Sequence, residues 1–211
     1  MARPGRAWVL SSPDAMRDAI ARPHVTYADY LEAERDGDVK HEWFDGAVYA
    51  MSRGTPEHAR LSARIVRAVG NALGGDCEVY SGDLMLYVAE VKLSTYADGS
   101  VVCGPLETVG VKRNGRSLGE GVTNPVVVIE VLSEATERYD REEKFGYYRR
   151  LPSLCEYVLV AQDQPLVEVY RRAADGGRWS CDVARTGEQV TIHGATIAVD
   201  DIYGPAAPPG A

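Results

Sequence analysis

Pro125-Val126-Val127-Val128-Ile129-Glu130-Val131-Leu132 is a near-continuous apolar run. Such a run, rich in β-branched side chains, reads as a central strand covered on both faces. Glu130 sits inside it. A carboxylate in that position costs several kcal/mol unless it is paired, protonated or coordinated to a metal. Two readings follow: a strand-end glutamate that reaches solvent or an arginine, or a metal ligand.

Working outward, helices and strands alternate around this core strand. On its C-terminal side the spacing predicts a helix over Glu137 to Arg150, ahead of Pro152, then strands over Glu156 to Val160, Leu166 to Arg171 and Trp179 to Val183. Towards the N-terminus, strands are expected over Thr95 to Cys103, Leu84 to Val88 and Cys77 to Tyr80. A long helix from Thr55 to Leu73 opens on Thr55-Pro56-Glu57 and closes on Gly74-Gly75. Leu61, Ile65, Val69 and Leu73 form its inward stripe, and His58, three residues before Leu61, extends that stripe towards the sheet. Arg60, Arg64 and Arg67 make a basic stripe beside it, read either as a solvated face or as nucleic-acid contacts. Further upstream, Lys40 to Met51 reads as a hairpin around Asp45-Gly46, preceded by a helix that Thr26 caps. The order describes an α/β fold with a mixed central β-sheet flanked by helices, plus an additional N-terminal helix and β-hairpin.

Length and composition agree with one domain. The chain has 211 residues, 45% hydrophobic and 26% charged, enough to bury a substantial core. Residues 1–23, with Pro4, Pro13 and Pro23, read as an extension holding one weak helix around Asp14 to Ala21; 24–203 form the domain; 204–211 read as a disordered Pro/Ala/Gly tail. No apolar run reaches the roughly 20 residues of a membrane span, and no signal core opens the chain, so a cytoplasmic protein without a membrane role is expected. The balance of 23 basic and 31 acidic side chains, net charge −8, argues against a protein that coats nucleic acid. Any such contact must be local, through a few cations or a bound metal. Lys112, Arg113 and Arg116 fall in a glycine-containing segment that reads as a loop. Cys77, Cys103, Cys155 and Cys181 contain no C-x-x-C pair, which makes reduced, mostly buried thiols the expectation.

A second acid stands on another strand. Asp98, in Thr95-Tyr-Ala-Asp-Gly-Ser-Val-Val-Cys103, directly precedes an apolar segment. Aspartate before glycine is commonly a turn residue, so the weight lies in the order: an aspartate, then the embedded Glu130, then a helix bearing Lys144. Two such carboxylates offer hard oxygen ligands of the kind magnesium and manganese prefer. The lysines are only Lys40, Lys92, Lys112 and Lys144, in a chain that otherwise uses arginine, so a lysine here suggests a need for a compact ammonium. Its bland role is a surface pair with Asp140 four residues earlier. Phe145 and Tyr148 mark the packed side of that helix and put Lys144 at its border. His58 is read either as a satisfied core histidine or as a partner of an active-site carboxylate.

Taken together, Glu42-Trp-Phe-Asp-Gly46, Met51-Ser52, His58, Tyr96-Ala-Asp-Gly-Ser-Val-Val-Cys103, Val128-Ile-Glu-Val-Leu-Ser133, Asp140-Arg-Glu-Glu-Lys144 with Tyr148, and Glu156-Tyr-Val-Leu-Val160 resemble the signature run of the Uma-two family of endonucleases. The resemblance spans about Val25 to Tyr170. It implies the restriction-endonuclease-like, PD-(D/E)XK fold, with Asp98 and Glu130 as metal-binding acids, Lys144 as the active-site lysine and Glu42 as an accessory acid. Two departures stand out. Ala97 occupies the place of the proline before the aspartate, and Leu132 that of the lysine in the acid-x-lysine triplet, which the resemblance fills with Lys144 from the next helix. The expectation is a Mg2+- (or Mn2+-) dependent endonuclease acting on DNA, working as a homodimer because two strands are to be cut. The alternatives are a non-catalytic interaction module that keeps the nuclease fold, and a metal-dependent hydrolase of another phosphate ester.

Overall fold

The computed structural model describes residues 9–10, 24–52 and 54–204. The expected helix at Asp14 to Ala21 and the tail beyond Gly204 lie outside them. The N-terminal extension contributes one short strand, β1 (Val9–Leu10). Then come α1 (Tyr27–Arg35), the hairpin β2 (His41–Phe44) and β3 (Ala47–Ala50), and α2 (Pro56–Ala72). Strands β4 (Cys77–Ser81), β5 (Met85–Val88), β6 (Leu93–Tyr96) and β7 (Gly99–Cys103) follow, then the pair β8 (Thr108–Arg113) and β9 (Arg116–Val122). After β10 (Val127–Val131), a helix begins as α3 (Glu137–Tyr139), passes through a π-helical turn (Asp140–Lys144) and ends as α4 (Phe145–Tyr148). The chain finishes with β11 (Glu156–Val160), β12 (Leu166–Arg172), β13 (Trp179–Arg185), the hairpin β14 (Gln189–Ile192) and β15 (Ala195–Ala198), and α5 (Val199–Tyr203).

Local chemistry accounts for these elements. Thr26 and Thr55 each accept a backbone N–H from the first turn of α1 and α2, and Pro56 takes the first helical position, where a missing N–H costs nothing. Asp45 and Gly46 both have positive φ, 40° and 95°, as a two-residue hairpin turn requires. Asp45 is thus the turn residue, tied to Lys92 at 2.9 Å.

The expected mixed sheet is present, in the order β13-β12-β11-β10-β7-β4, with β10 parallel to β11 and antiparallel to β7. A second mixed sheet, β1-β3-β2-β6-β5-β9-β8, packs against it. Alternation along β10 serves both its faces. Val127, Ile129 and Val131 pack with Leu61, Ile65 and Val69 of α2 and with α5. Val128 and Leu132 face the layer between the sheets, with Leu86, Val88, Leu93 and Tyr148. The run is covered on both sides, as its composition demands.

Three expectations are corrected. Thr95 to Cys103 is not one strand: β6 belongs to one sheet and β7 to the other, and only Ala97-Asp98 joins them. The segment with Lys112, Arg113 and Arg116 is not a loop but the β8–β9 hairpin, turning at Asn114-Gly115 with φ of 52° and 77°; Arg113 is spent on Asp29 and Glu32 of α1. Cys77 and Cys103 are not free thiols: they face each other on β4 and β7 and form a disulfide, while Cys155 and Cys181 are exposed.

Candidate active site

The crossover between the sheets positions the first acid. Beyond the last paired residues of β7 and β10, Gly99 and Ile129, Asp98 turns its carboxylate onto β10, where Oδ2 accepts the N–H of Val131 at 2.7 Å. Its Oδ1 is 2.8 Å from Nε2 of His58, carried on the first turn of α2. Helix α2 comes this close because position 99 is glycine: a Cβ there would stand 2.9 Å from Val66. His58 is therefore the carboxylate partner of its two readings. The hydrogen bond to Asp98 raises its pKa, against the opposing effect of partial burial.

Glu130 points from the opposite face of β10 into the layer between the sheets and is 4% exposed. Its Oε1 accepts from the Tyr148 hydroxyl at 3.0 Å and from Lys144 Nζ at 2.8 Å. The π-helical turn carries both Asp140 and Lys144 inward, and each is 4% exposed. Lys144 is thus neither at a border nor in a surface pair. Its Nζ also lies 3.7 Å from Glu42 Oε1 and 3.8 Å from Asp140 Oδ1, and donates to the Tyr96 carbonyl at 3.2 Å. Glu42, on β2, is gripped by the hydroxyls of Thr95 and Tyr139.

The electrostatics follow from this crowding. Four carboxylates, Glu42, Asp98, Glu130 and Asp140, share one ammonium and one imidazole. Burial, reinforced by neighbouring acids, pushes Glu130 and Asp140 above the usual carboxylate range. Burial opposes the charge on Lys144, but Glu130, with Tyr148, Glu42 and Asp140, outweighs it and holds the ammonium. Four acids face two cationic groups here, and further positive charge nearby would ease the loss of the protons that burial holds on Glu130 and Asp140.

His58, Asp98, Glu130, Asp140 and Lys144 open on a cavity of about 930 Å³ whose lining also includes Lys40, Ser52, Thr55, Ser133 and Gln162 but not Glu42. The structure brings together Asp98, Glu130, Lys144, Glu42 and His58. It does not bring Arg60, Arg64 and Arg67 there: Arg60 holds Glu57 and the Tyr203 carbonyl, Arg64 the Ile202 carbonyl, and Arg67 is exposed, none of them lining the cavity. Arg60 and Arg64 anchor the end of α5. Asp140, Thr95 and Tyr139 join the cluster without having been singled out for it. Asp140 had one visible signal, its i, i+4 relation to Lys144; Thr95 and Tyr139 had none.

A donor set of oxygens from Asp98 and Glu130, in an anion-rich cleft, fits a hard divalent cation. Among the described residues, the trio of ligand-type side chains that converges within 4.8 Å is a different one, Cys77, Cys103 and His193. At the acid pair the protein would supply two ligands and leave the remainder to water and substrate, as magnesium sites commonly do.

A mixed sheet with an acid on its central strand, a second acid at the start of the antiparallel neighbour and a lysine on the following helix defines a restriction-endonuclease-like fold. The family model Uma2, described as "Putative restriction endonuclease", matches residues 27–199, and the chain belongs to this family. Two proteins of Synechocystis are similar to it: slr1290, 34% identical over 184 residues (86% of this chain, 92% of that protein), and sll1609, 31% identical over 152 residues (72% and 82%). A solved structure from Anabaena variabilis, described as a "putative nuclease belonging to DUF820", has the same fold, with a TM-score of 0.65 at 16% identity over 85% of this chain and 97% of that one. No helix among the described residues is long and apolar enough to cross a membrane.

Proposed function

We propose that this chain is a metal-dependent endonuclease that hydrolyses phosphodiester bonds in DNA, with Mg2+ or Mn2+ held by Asp98 and Glu130. The observation that carries the reading is the buried Lys144 ammonium, 2.8 Å from Glu130 on a cleft shared with Asp98. When bound, the cation supplies Lewis acidity towards a phosphate oxygen and lowers the pKa of an attacking water.

The chain's own residues do the rest. His58 and the Val131 N–H hold the two oxygens of Asp98 in one orientation, which fixes the direction in which that acid can bind. Tyr148 does the same for Glu130. Lys144 is positioned to orient a water or to neutralise negative charge growing on the phosphate. Glu42, locked by Thr95 and Tyr139, keeps that ammonium in place and acts as the accessory acid. An acidic cleft in a chain of net charge −8 repels DNA on its own, so substrate binding in this reading depends on the cation. Cutting both strands is served by two sites under twofold symmetry, which makes the functional unit a homodimer.

Incubation of the protein with supercoiled plasmid and Mg2+ or Mn2+ tests the reading. Metal-dependent nicking that disappears in Asp98→Asn and Glu130→Gln is the expected result, together with calorimetric metal binding in the micromolar to millimolar range that those changes abolish. Cleavage of small phosphodiesters alone would move the protein to another phosphate ester. Metal binding without any cleavage would make it an interaction module.

A further inference from the structure

The edge of the six-stranded sheet carries a second group of ligand-type side chains, separate from the acid cleft. Cys77 on β4 and Cys103 on β7 stand directly opposite each other and are joined in a disulfide. The β14–β15 hairpin brings His193 over them, with Nε2 3.3 Å from Cys103 Sγ. Two features hold the imidazole there. His193 has a left-handed backbone, φ 46°, and its N–H donates to Glu156 Oε2 at 2.7 Å. Glu156 is in turn fixed by Arg171 at 2.9 Å. The ligand atoms of Cys77, Cys103 and His193 all lie within 4.8 Å of one another, and all three residues are half-buried, within reach of solvent.

Two sulfurs and one imidazole are a soft to borderline set, the opposite of the hard oxygens in the cleft. They match the three-ligand sites in which zinc keeps a fourth position for water. As a disulfide the sulfurs are bonded to each other and are not available as thiolates. We propose that reduction of Cys77–Cys103 converts this sheet edge into a zinc-binding site, with both thiolates and the His193 imidazole as protein ligands.

The chemistry closes in two steps. A dithiol reductant attacks one sulfur through its thiolate and the Cys77–Cys103 bond breaks; the second thiol of the reductant then attacks the mixed disulfide and expels the cysteine thiolate still bonded to it. The reductant leaves as a disulfide, and two electrons and two protons have passed to Cys77 and Cys103. Binding of Zn2+ then releases both thiol protons to solvent, while the neutral imidazole gives up none. Two thiolates balance the charge of the ion. At a Zn–S distance of about 2.3 Å and tetrahedral angles, the sulfurs need to stand only about 3.8 Å apart. Directly opposed residues of neighbouring strands deliver that separation without movement of the sheet. Oxidised and zinc-loaded forms exclude each other because they use the same sulfurs.

The full chain is reduced with a phosphine, which is oxidised to its phosphine oxide with oxygen from water, freed of excess reagent, and titrated anaerobically with Co2+. Thiolate-to-cobalt charge-transfer absorption reports sulfur-bound metal alone and is blind to ions on Asp98 and Glu130. The expected result is one equivalent of this absorption, displaced by Zn2+, absent from the oxidised protein and from the Cys77→Ser, Cys103→Ser double variant. It should survive unchanged in Cys155→Ser, Cys181→Ser. His193→Asn, which tolerates the left-handed backbone, should weaken metal binding by about tenfold or more. Without any variant, Zn2+ should protect Cys77 and Cys103 of the reduced protein from alkylation. No charge transfer in the reduced chain, absorption that persists without Cys77 and Cys103, or alkylation unaffected by zinc would each overturn the proposal.

Discussion

Replacing Lys144 by alanine would leave three buried acids without their shared cation. Its Nζ stands 2.8 Å from Glu130, 3.7 Å from Glu42 and 3.8 Å from Asp140. At an effective dielectric of about 20, each such contact is worth about 4 to 6 kcal/mol before the opposing desolvation of the charges. The net cost of removing one partner from a buried pair is about 3 to 5 kcal/mol, and three acids around one ammonium place this site at the upper end. For a domain of this size that corresponds to a fall in melting temperature of roughly 6 to 20 °C. Denaturant unfolding and calorimetry of the metal-free protein measure it directly. Adding Glu130→Gln to Lys144→Ala should recover part of the loss, because an amide there needs neither a counter-ion nor the uptake of a proton, with a coupling of about 1 kcal/mol or more. Lys144→Arg should recover little, since the planar guanidinium is larger and does not fit a site shaped around an ammonium. A loss below about 1 kcal/mol in Lys144→Ala, the size of an exposed ion pair, would refute the counter-ion reasoning.

Burial raises Glu130 and Asp140, so their neutral forms favour the fold: that contribution is complete below the pKa they have in the unfolded chain and is lost as pH rises through their folded values. Glu130→Gln keeps its position neutral, so the stability difference between variant and wild type should shift in the variant's favour with rising pH; unfolding curves across a pH series check this, and a pH-independent difference would contradict it. His58→Ala should reduce plasmid nicking by about 10- to 100-fold through misorientation of Asp98, with melting temperature little changed because Val131 still holds one oxygen. Light scattering at working concentrations should give the mass of a homodimer, and a monomer would remove the paired-site arrangement.

Much of the framework was legible because it rests on local chemistry. The threonine caps at Thr26 and Thr55, the Asp45-Gly46 turn and the apolar run around Glu130 each announce an element through bonding needs close in sequence. The acids and the lysine were legible for a related reason: a charged group inside or beside an apolar run demands an explanation. What stayed hidden depends on contacts between distant segments. Nothing near Lys144 in sequence reveals that β2 brings Glu42 to within 3.7 Å of it, or that a π-helical turn rotates Asp140 inward beside it. The disulfide was hidden likewise, since only the register of β4 against β7 sets Cys77 opposite Cys103. Arg60 and Arg64 turn to the carbonyl end of a short helix, and in sequence a basic stripe looks the same whether it faces phosphate, solvent or such carbonyls. Asn114-Gly115, by contrast, is a local hairpin signal within the basic segment of Lys112, Arg113 and Arg116, and it sets the turn between β8 and β9.

The dipeptide Ala97-Asp98 joins two sheets and carries a proposed ligand at once. Substitutions in the surrounding cores can be absorbed by repacking, but a change in length here cannot. One inserted residue would reverse the facing of every side chain in β6 or β7, or swing Asp98 away from Val131 and His58. Across descendants of this gene, insertions and deletions should therefore gather at exposed tips such as Asn114-Gly115, while the spacing from Tyr96 to Gly99 stays constant even where the residues around it drift. A count of gaps along a family alignment would read that constraint as heredity of length rather than of letters.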